Sequence, residues 1–135
     1  MIQIVIKGRP ITKKNHSQIR KAKNGRRYVA PSEYYEKYEE MALWQIKGVA
    51  RKKIDFPCNV KCLYYMPTRH RVDLVNLLEA TCDILVTAGV LADDNSKIVA
   101  AHDGSRVLYD KDNPRTEIYI ERMDVDALQS NVSAI

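Results

Sequence analysis

The residues best suited to chemistry in this chain are acidic. Val72-Asp73-Leu74-Val75-Asn76-Leu77-Leu78-Glu79-Ala80-Thr81-Cys82-Asp83, followed after Gly89 by Asp93-Asp94-Asn95, sets carboxylates along a stretch that is otherwise apolar. Hard divalent cations such as Mg²⁺ take one or two carboxylates and leave their other positions to water and substrate phosphates. Arg69-His70-Arg71 precedes the acids directly. Carboxylates beside cations, in a chain of formal net charge +5, point to metal-assisted chemistry on a phosphodiester. The competing use of such acids is a solvated outer helix face.

Successive residues at about 100° around an axis put Leu74, Leu77, Leu78, Thr81, Leu85 and Ala88 on one stripe and Asn76, Glu79 and Asp83 opposite it. Residues three or four apart are neighbours on a helix, so these three polar residues form a row with Asp73 at its N-terminal entrance. Gly89 is placed to end the helix and to turn Asp93 and Asp94 back toward Asp73. No other catalytic apparatus competes: there is no P-loop, no dinucleotide glycine fingerprint and no serine in a nucleophile elbow. His16, His70 and His102 lack metal-ligand spacing. His70 is read as a phosphate contact or as a solvated loop residue.

Charge is unevenly distributed. Residues 1–32 hold nine Lys or Arg and no acid, a segment of +9 against −4 for the remainder. Such a concentration is the footprint of a polyanion partner, with DNA the leading candidate. Lys13, Lys14, Asn15, Arg20, Lys21, Arg26 and Arg27 are the expected contacts in this arm, with Lys23 as a further cation, and Arg69, His70 and Arg71 join them from the loop before the acids.

The 135 residues suffice for one domain and its core, and a second domain has no room. Three cysteines form no disulfide framework. Cys58 and Cys62 on one strand would stand roughly 13 Å apart, too far to bridge. No apolar run reaches the ~20 residues of a membrane span and no signal peptide is evident, so the expected location is cytoplasmic.

The elements that must position the acids follow from periodicity. Ile2, Ile4 and Ile6 alternate as a half-buried strand, and residues 8–30 read as a basic loop, with Gly25 at the tip of a hairpin. Ser32 is a candidate N-cap for a helix reaching about Val49, with Tyr35, Tyr38, Ala42, Ile46 and Val49 inward and Trp44 on the opposite face. Cys58, Val60, Cys62, Tyr64 and Met66 alternate as the inward face of a strand that delivers residues 69–73 at its end. Residues 98–101 and 106–109 read as one strand interrupted near Asp103-Gly104, pairing antiparallel with a last strand around Thr116, Ile118 and Ile120. The expected fold is α+β, a single domain with a small mixed sheet of about four strands and two main helices, in the order β-α-β-α-β-β. Residues 1–123 form the domain, and 124–135 are a tail that either frays or forms a short interface helix.

From Met66 to Asn95 the chain resembles the RusA-type Holliday junction resolvases, small phage and prophage endodeoxyribonucleases. The resemblance is carried by Met66-Pro67, Arg69-His70-Arg71, Asp73-Leu74-Val75-Asn76-Leu77, Asp83-Ile84-Leu85, Gly89 and Asp93-Asp94, and at the amino end by Gly8-Arg9-Pro10-Ile11-Thr12-Lys13-Lys14-Asn15. It implies a homodimeric nuclease that uses Mg²⁺, with Mn²⁺ able to substitute, and that nicks branched DNA in recombination and repair. It also implies metal-binding aspartates at the positions of Asp73, Val75 and Asp94, and a lysine at the position of Glu79. Val75 cannot ligate a metal and Glu79 reverses a charge, so two readings stand side by side. In one, Glu79, one turn beyond Val75, returns a carboxylate and Lys97 supplies the cation, giving a catalytic set of Asp73, Glu79, Asp94 and Lys97 with Asp83 and Asp93 as further metal ligands. In the other, the protein binds junctions without cutting them and Asp73 only caps its helix. A general RNA- or duplex-binding module is disfavoured, because no aromatic stacking motif is present.

Overall fold

The structure, a computed structural model, describes residues 1–13, 18–30 and 33–133, the side chains of 18–20, 28–30 and 131–133 excepted. Its centre is strand β4 (Cys58–Met66), whose alternate residues Cys58, Val60 and Cys62 are 0% exposed. Period-two alternation with every second side chain apolar makes this one inward face. On one edge β4 pairs antiparallel with β7 (Arg115–Arg122), Cys58 facing Arg122 and Tyr65 facing Arg115. β7 in turn pairs antiparallel with β1 (Ile2–Lys7), Ile2 facing Ile120 and Lys7 facing Arg115.

The other edge of β4 is shared by two short parallel strands, β5 (Val99–Ala101) near its start and β6 (Arg106–Tyr109) near its end. The order β1-β7-β4-β5, with β6 beside β4, is a five-stranded mixed sheet. The α+β expectation holds, and its pairing needs correction. Residues 98–109 are two strands separated by a turn closed by the Ser105 N–H on the His102 carbonyl (3.1 Å). The last strand pairs with β1 and β4, not with its predecessor. Both β5 and β6 run parallel to β4, which is possible because the helix over Leu74–Thr87 supplies the crossover between them.

Helices α1 (Glu33–Gln45) and α2 (Leu74–Thr87) share one apolar cluster with the inward face of the sheet, through Tyr35, Tyr38 and Ala42 on the first and Leu77, Ile84 and Leu85 on the second. Buried hydroxyls knit the layers. Thr81 donates to the Leu77 carbonyl (2.9 Å) and so receives the Tyr64 hydroxyl (2.7 Å), and Tyr38 meets Thr116 at 3.3 Å. Helix α1 stops short of the expected end: Gln45 is its last residue, and a 3₁₀ turn follows over Gly48–Ala50. Val49 is consequently 75% exposed and not part of the inward stripe. Ser32, the expected cap, lies outside the described residues.

The basic stretch contains a small hairpin of β2 (Gln18–Lys21) and β3 (Arg27–Ala30), with Arg20 facing Tyr28. Gly25 sits at its turn with φ +82°, a backbone state that glycine adopts without strain. A third helix, α3 (Val125–Ser133), closes the chain, its Asp124 side chain accepting the Ala127 N–H at 3.0 Å. None of the described helices is long and apolar enough to cross a membrane.

Candidate nucleic-acid and metal site

Strand β4 ends at Met66 and hands over to a loop that carries Thr68, Arg69, His70 and Arg71 to the head of α2. Arg69 is partly committed, its guanidinium lying 4.1 Å over the Tyr109 ring at the end of β6. His70 and Arg71 are exposed. Asp73 is the N-cap of α2, its backbone extended at φ −86°, ψ 111°. Its Oδ1 accepts the N–H groups of Val75 (2.9 Å) and Asn76 (3.4 Å), satisfying donors that a helix start leaves unpaired. Among the described residues Oδ2 takes no hydrogen bond.

Asp83 points elsewhere. Its Oδ2 meets Lys13 Nζ at 2.9 Å, and the same ammonium lies 5.5 Å from the centroid of the Tyr35 ring on α1. Two residues with different expected roles, a DNA contact and a metal ligand, thus neutralise each other and tie the basic arm to both helices. Asp93 is occupied as well. It accepts the Asp94 N–H (2.7 Å) and the Asn95 side-chain amide (3.2 Å), and the first of these bonds does most to hold its carboxyl below the usual range. Asp94, Lys97 and Glu79 are exposed, and the Lys97 N–H closes the same loop on Asn95 Oδ1 at 2.9 Å.

Helix rise sets the separations along α2. At about 1.5 Å per residue, Glu79 stands roughly 9 Å and Asp83 roughly 15 Å along the axis from Asp73. Burial pushes the Cys82 thiol up to about 12. Cys82 is thereby an inert thiol, 3.9 Å from His102 Nε2, while His102 Nδ1 meets the Val60 carbonyl at 2.7 Å.

Among the described residues no three His, Cys, Asp or Glu side chains converge to hold a metal ion. The donors therefore do not fit an all-protein cage. They fit a hard cation held by one or two carboxylates, because Asp73 keeps one oxygen unengaged and exposed carboxylates leave room for water and phosphate. Val75 is 68% exposed on the first turn, so nothing apolar claims its side chain.

Of the expected DNA contacts, Lys21, Arg26 and Arg27 are exposed on the hairpin, and Arg20 lies in β2. Lys14 and Asn15 lie outside the described residues. Sequence reasoning missed Arg9 and Thr68. Together with Thr12, His70 and Arg71 they line a small cavity of about 70 Å³ between the amino-terminal segment and the β4–α2 loop. The available signal was Gly8, whose φ of +112° and N–H bond to the Pro114 carbonyl (3.0 Å) turn the chain out of β1 across the end of the sheet.

No curated protein matches the chain. The family described as endodeoxyribonuclease RusA matches residues 7–121, which takes in the segment after β1, the Arg69–Arg71 loop, the acidic helix, strands β4 to β6 and all of β7 but Arg122, while β1 lies outside the match except for Lys7. The order of a strand end, a basic loop, a capped acidic helix and an acidic loop, together with that match, makes this chain a member of the RusA endodeoxyribonuclease family.

Proposed function

We propose that this protein is a divalent-metal-dependent nuclease that resolves four-way DNA junctions by paired nicks, acting in the cytoplasm as a homodimer. The observation that supports it most is local: β4 delivers Arg69, His70 and Arg71 immediately ahead of a carboxylate with one unengaged oxygen. Asp73, together with Glu79 or Asp94, is the proposed holder of Mg²⁺ or Mn²⁺, while Asp83 stays paired with Lys13 and Asp93 with the Asp94 N–H and Asn95. When bound, such an ion lowers the pKa of a coordinated water and offsets charge on the leaving oxygen.

The chain's own residues do the rest. Arg69, His70 and Arg71 hold the backbone beside Asp73, the hairpin cations Arg20, Lys21, Arg26 and Arg27, with Lys14 and Asn15 before them in the chain, hold the flanking DNA, Lys13 anchors the arm on Asp83, and Lys97 offsets phosphate charge where the Glu79 position lacks a lysine. A junction carries two strands to be cut, and a two-fold dimer presents two identical sites to them.

A second reading is favoured by two observations, the exposed Val75 and the lack of a three-acid group among the described residues. It makes the protein a junction binder that does not cut. Incubating a labelled synthetic four-way junction with the protein, with and without Mg²⁺ or Mn²⁺, separates the two: metal-dependent paired nicks support the nuclease, and a tight complex with no nick under either metal supports the binder. Glu79→Ala is expected to lower cleavage ~100-fold or more, beyond the loss that an outer-shell change causes, while junction binding persists. Val75→Asp, at an exposed position, is expected to raise it.

A further inference from the structure

Most cations near the core are committed. Arg51 donates to the carbonyls of Leu43, Ile46 and Ala88, Arg115 pairs with Asp110 and Glu117, and Lys13 pairs with Asp83. Arg9, His70 and Arg71 are different: all three are exposed, all three line the same cavity, and among the described residues none has a hydrogen bond or a carboxylate partner. Thr68 and the buried Thr12 add hydroxyls, while Pro10, Ile11, Met66 and Val72 wall the space. The two uncompensated guanidinium groups of Arg9 and Arg71, held around one concavity, repel each other, an arrangement that is relieved when an anion enters. A cavity of about 70 Å³ is roomy enough for a few waters or for one tetrahedral oxyanion.

We propose that Arg9, Thr68, His70 and Arg71 form a pocket for a single backbone phosphate of the DNA, one that fixes the register of a strand against the head of α2. Arg71 lies two residues before Asp73, so the occupied pocket holds a phosphate within a short span of the carboxylate that caps the helix. Arginine suits the role because its planar fork can grip two phosphate oxygens at once. Backbone contacts of this kind position the nucleic acid without reading its sequence. The inference rests on the reading of the chain as a DNA-binding member of its family, but not on cleavage.

The test measures junction affinity in EDTA over a range of salt for the wild type, Arg9→Gln, Arg71→Gln and the double variant. Each phosphate neutralised contributes about 0.9 to the slope of log K against log salt on duplex DNA. The expected result is that the double variant loses a single step of about 0.9 and neither single variant loses more than that one step, because both guanidinium groups serve one phosphate. A double variant that loses two steps would mean two separate contacts, and an unchanged slope, or a wild type that does not bind, would mean no phosphate sits there; each overturns the pocket. A methylphosphonate placed singly along the strands gives a second readout: one position should weaken the wild type and leave the double variant indifferent, and indifference of the wild type at every position overturns the proposal. Adding Mg²⁺ afterwards separates this inference from the nuclease reading. Shared slope loss without nicks keeps the pocket and removes the nuclease, whereas nicking with unchanged slopes does the reverse.

Discussion

Asp73 has two tasks that substitution can pull apart. Its Oδ1 caps α2, and its other oxygen is the one proposed to face a cation. Asparagine caps helices about as well as aspartate, whereas alanine forfeits roughly 1 kcal/mol. Asp73→Asn is therefore expected to keep the wild-type denaturation midpoint and lose cleavage, while Asp73→Ala loses both. Urea unfolding beside the cleavage assay distinguishes them, and an Asn variant that cuts normally would leave Asp73 with the capping task alone. The Lys13–Asp83 pair is half exposed, with side chains at 39% and 33%, so its weight in stability is small, about 0–1 kcal/mol. Its importance is placement, since it docks the segment that carries Arg9 and Thr12 beside the helices.

Strand β7 decides more than any other element, because it lies between β1 and β4 and pairs with both. Ile118 at its centre is 0% exposed, and Ile118→Ala is expected to destabilise by about 2–5 kcal/mol in denaturant unfolding. The opposite face of the strand holds a charged network. Arg115 bonds Asp110 (2.8 Å) and Glu117 (2.7 Å) while its guanidinium lies 3.8 Å over the Tyr65 ring, and the Tyr119 hydroxyl donates to Glu117 (2.7 Å). The Arg115 bond holds the Asp110 carboxyl below the usual range. For Glu117 burial works the other way, yet the Tyr119 and Arg115 bonds outweigh it and leave that carboxyl lowered too. Carboxyls lowered in the folded state add stability that is complete above their unfolded pKa values, about 3.9 for Asp and 4.3 for Glu, and that disappears as pH falls through the folded values. The melting temperature of the wild type should therefore drop more steeply below about pH 4 than that of Arg115→Met, and parallel pH curves would show that the network carries no linkage.

At the scale of the molecule, charge is segregated. The first 32 residues carry +9, and helix α1 presents Glu33, Glu36, Glu39 and Glu40 against the single Lys37. DNA is thereby steered to the arm and the 69–71 loop and away from the helix that bears the 84% exposed Trp44. Junction affinity should fall steeply with salt, in proportion to the phosphates engaged, whether or not the strands are cut. The nuclease and binder readings thus share one electrostatic platform and part only at the carboxylates.

Much of this was legible along the chain because the responsible forces act between near neighbours. Alternation marked β1 and the inward face of β4, a 3.6-residue period marked the buried stripe of α2 through Leu77, Thr81, Leu85 and Ala88, and Gly89 marked its end, adopting φ +77°. The spacing from Met66 to Asp94 carried the family, since a strand end, a cap and a helix of set length leave their residues at set intervals. Tertiary structure alone decided the pairings across the chain. Nothing local to Asp83 announces Lys13, 70 residues earlier, and nothing local to Arg9 announces His70. The place of β7 between β1 and β4 is of the same kind. Side-chain period reports which face of an element is buried, but which other element covers that face depends on how the whole sheet closes.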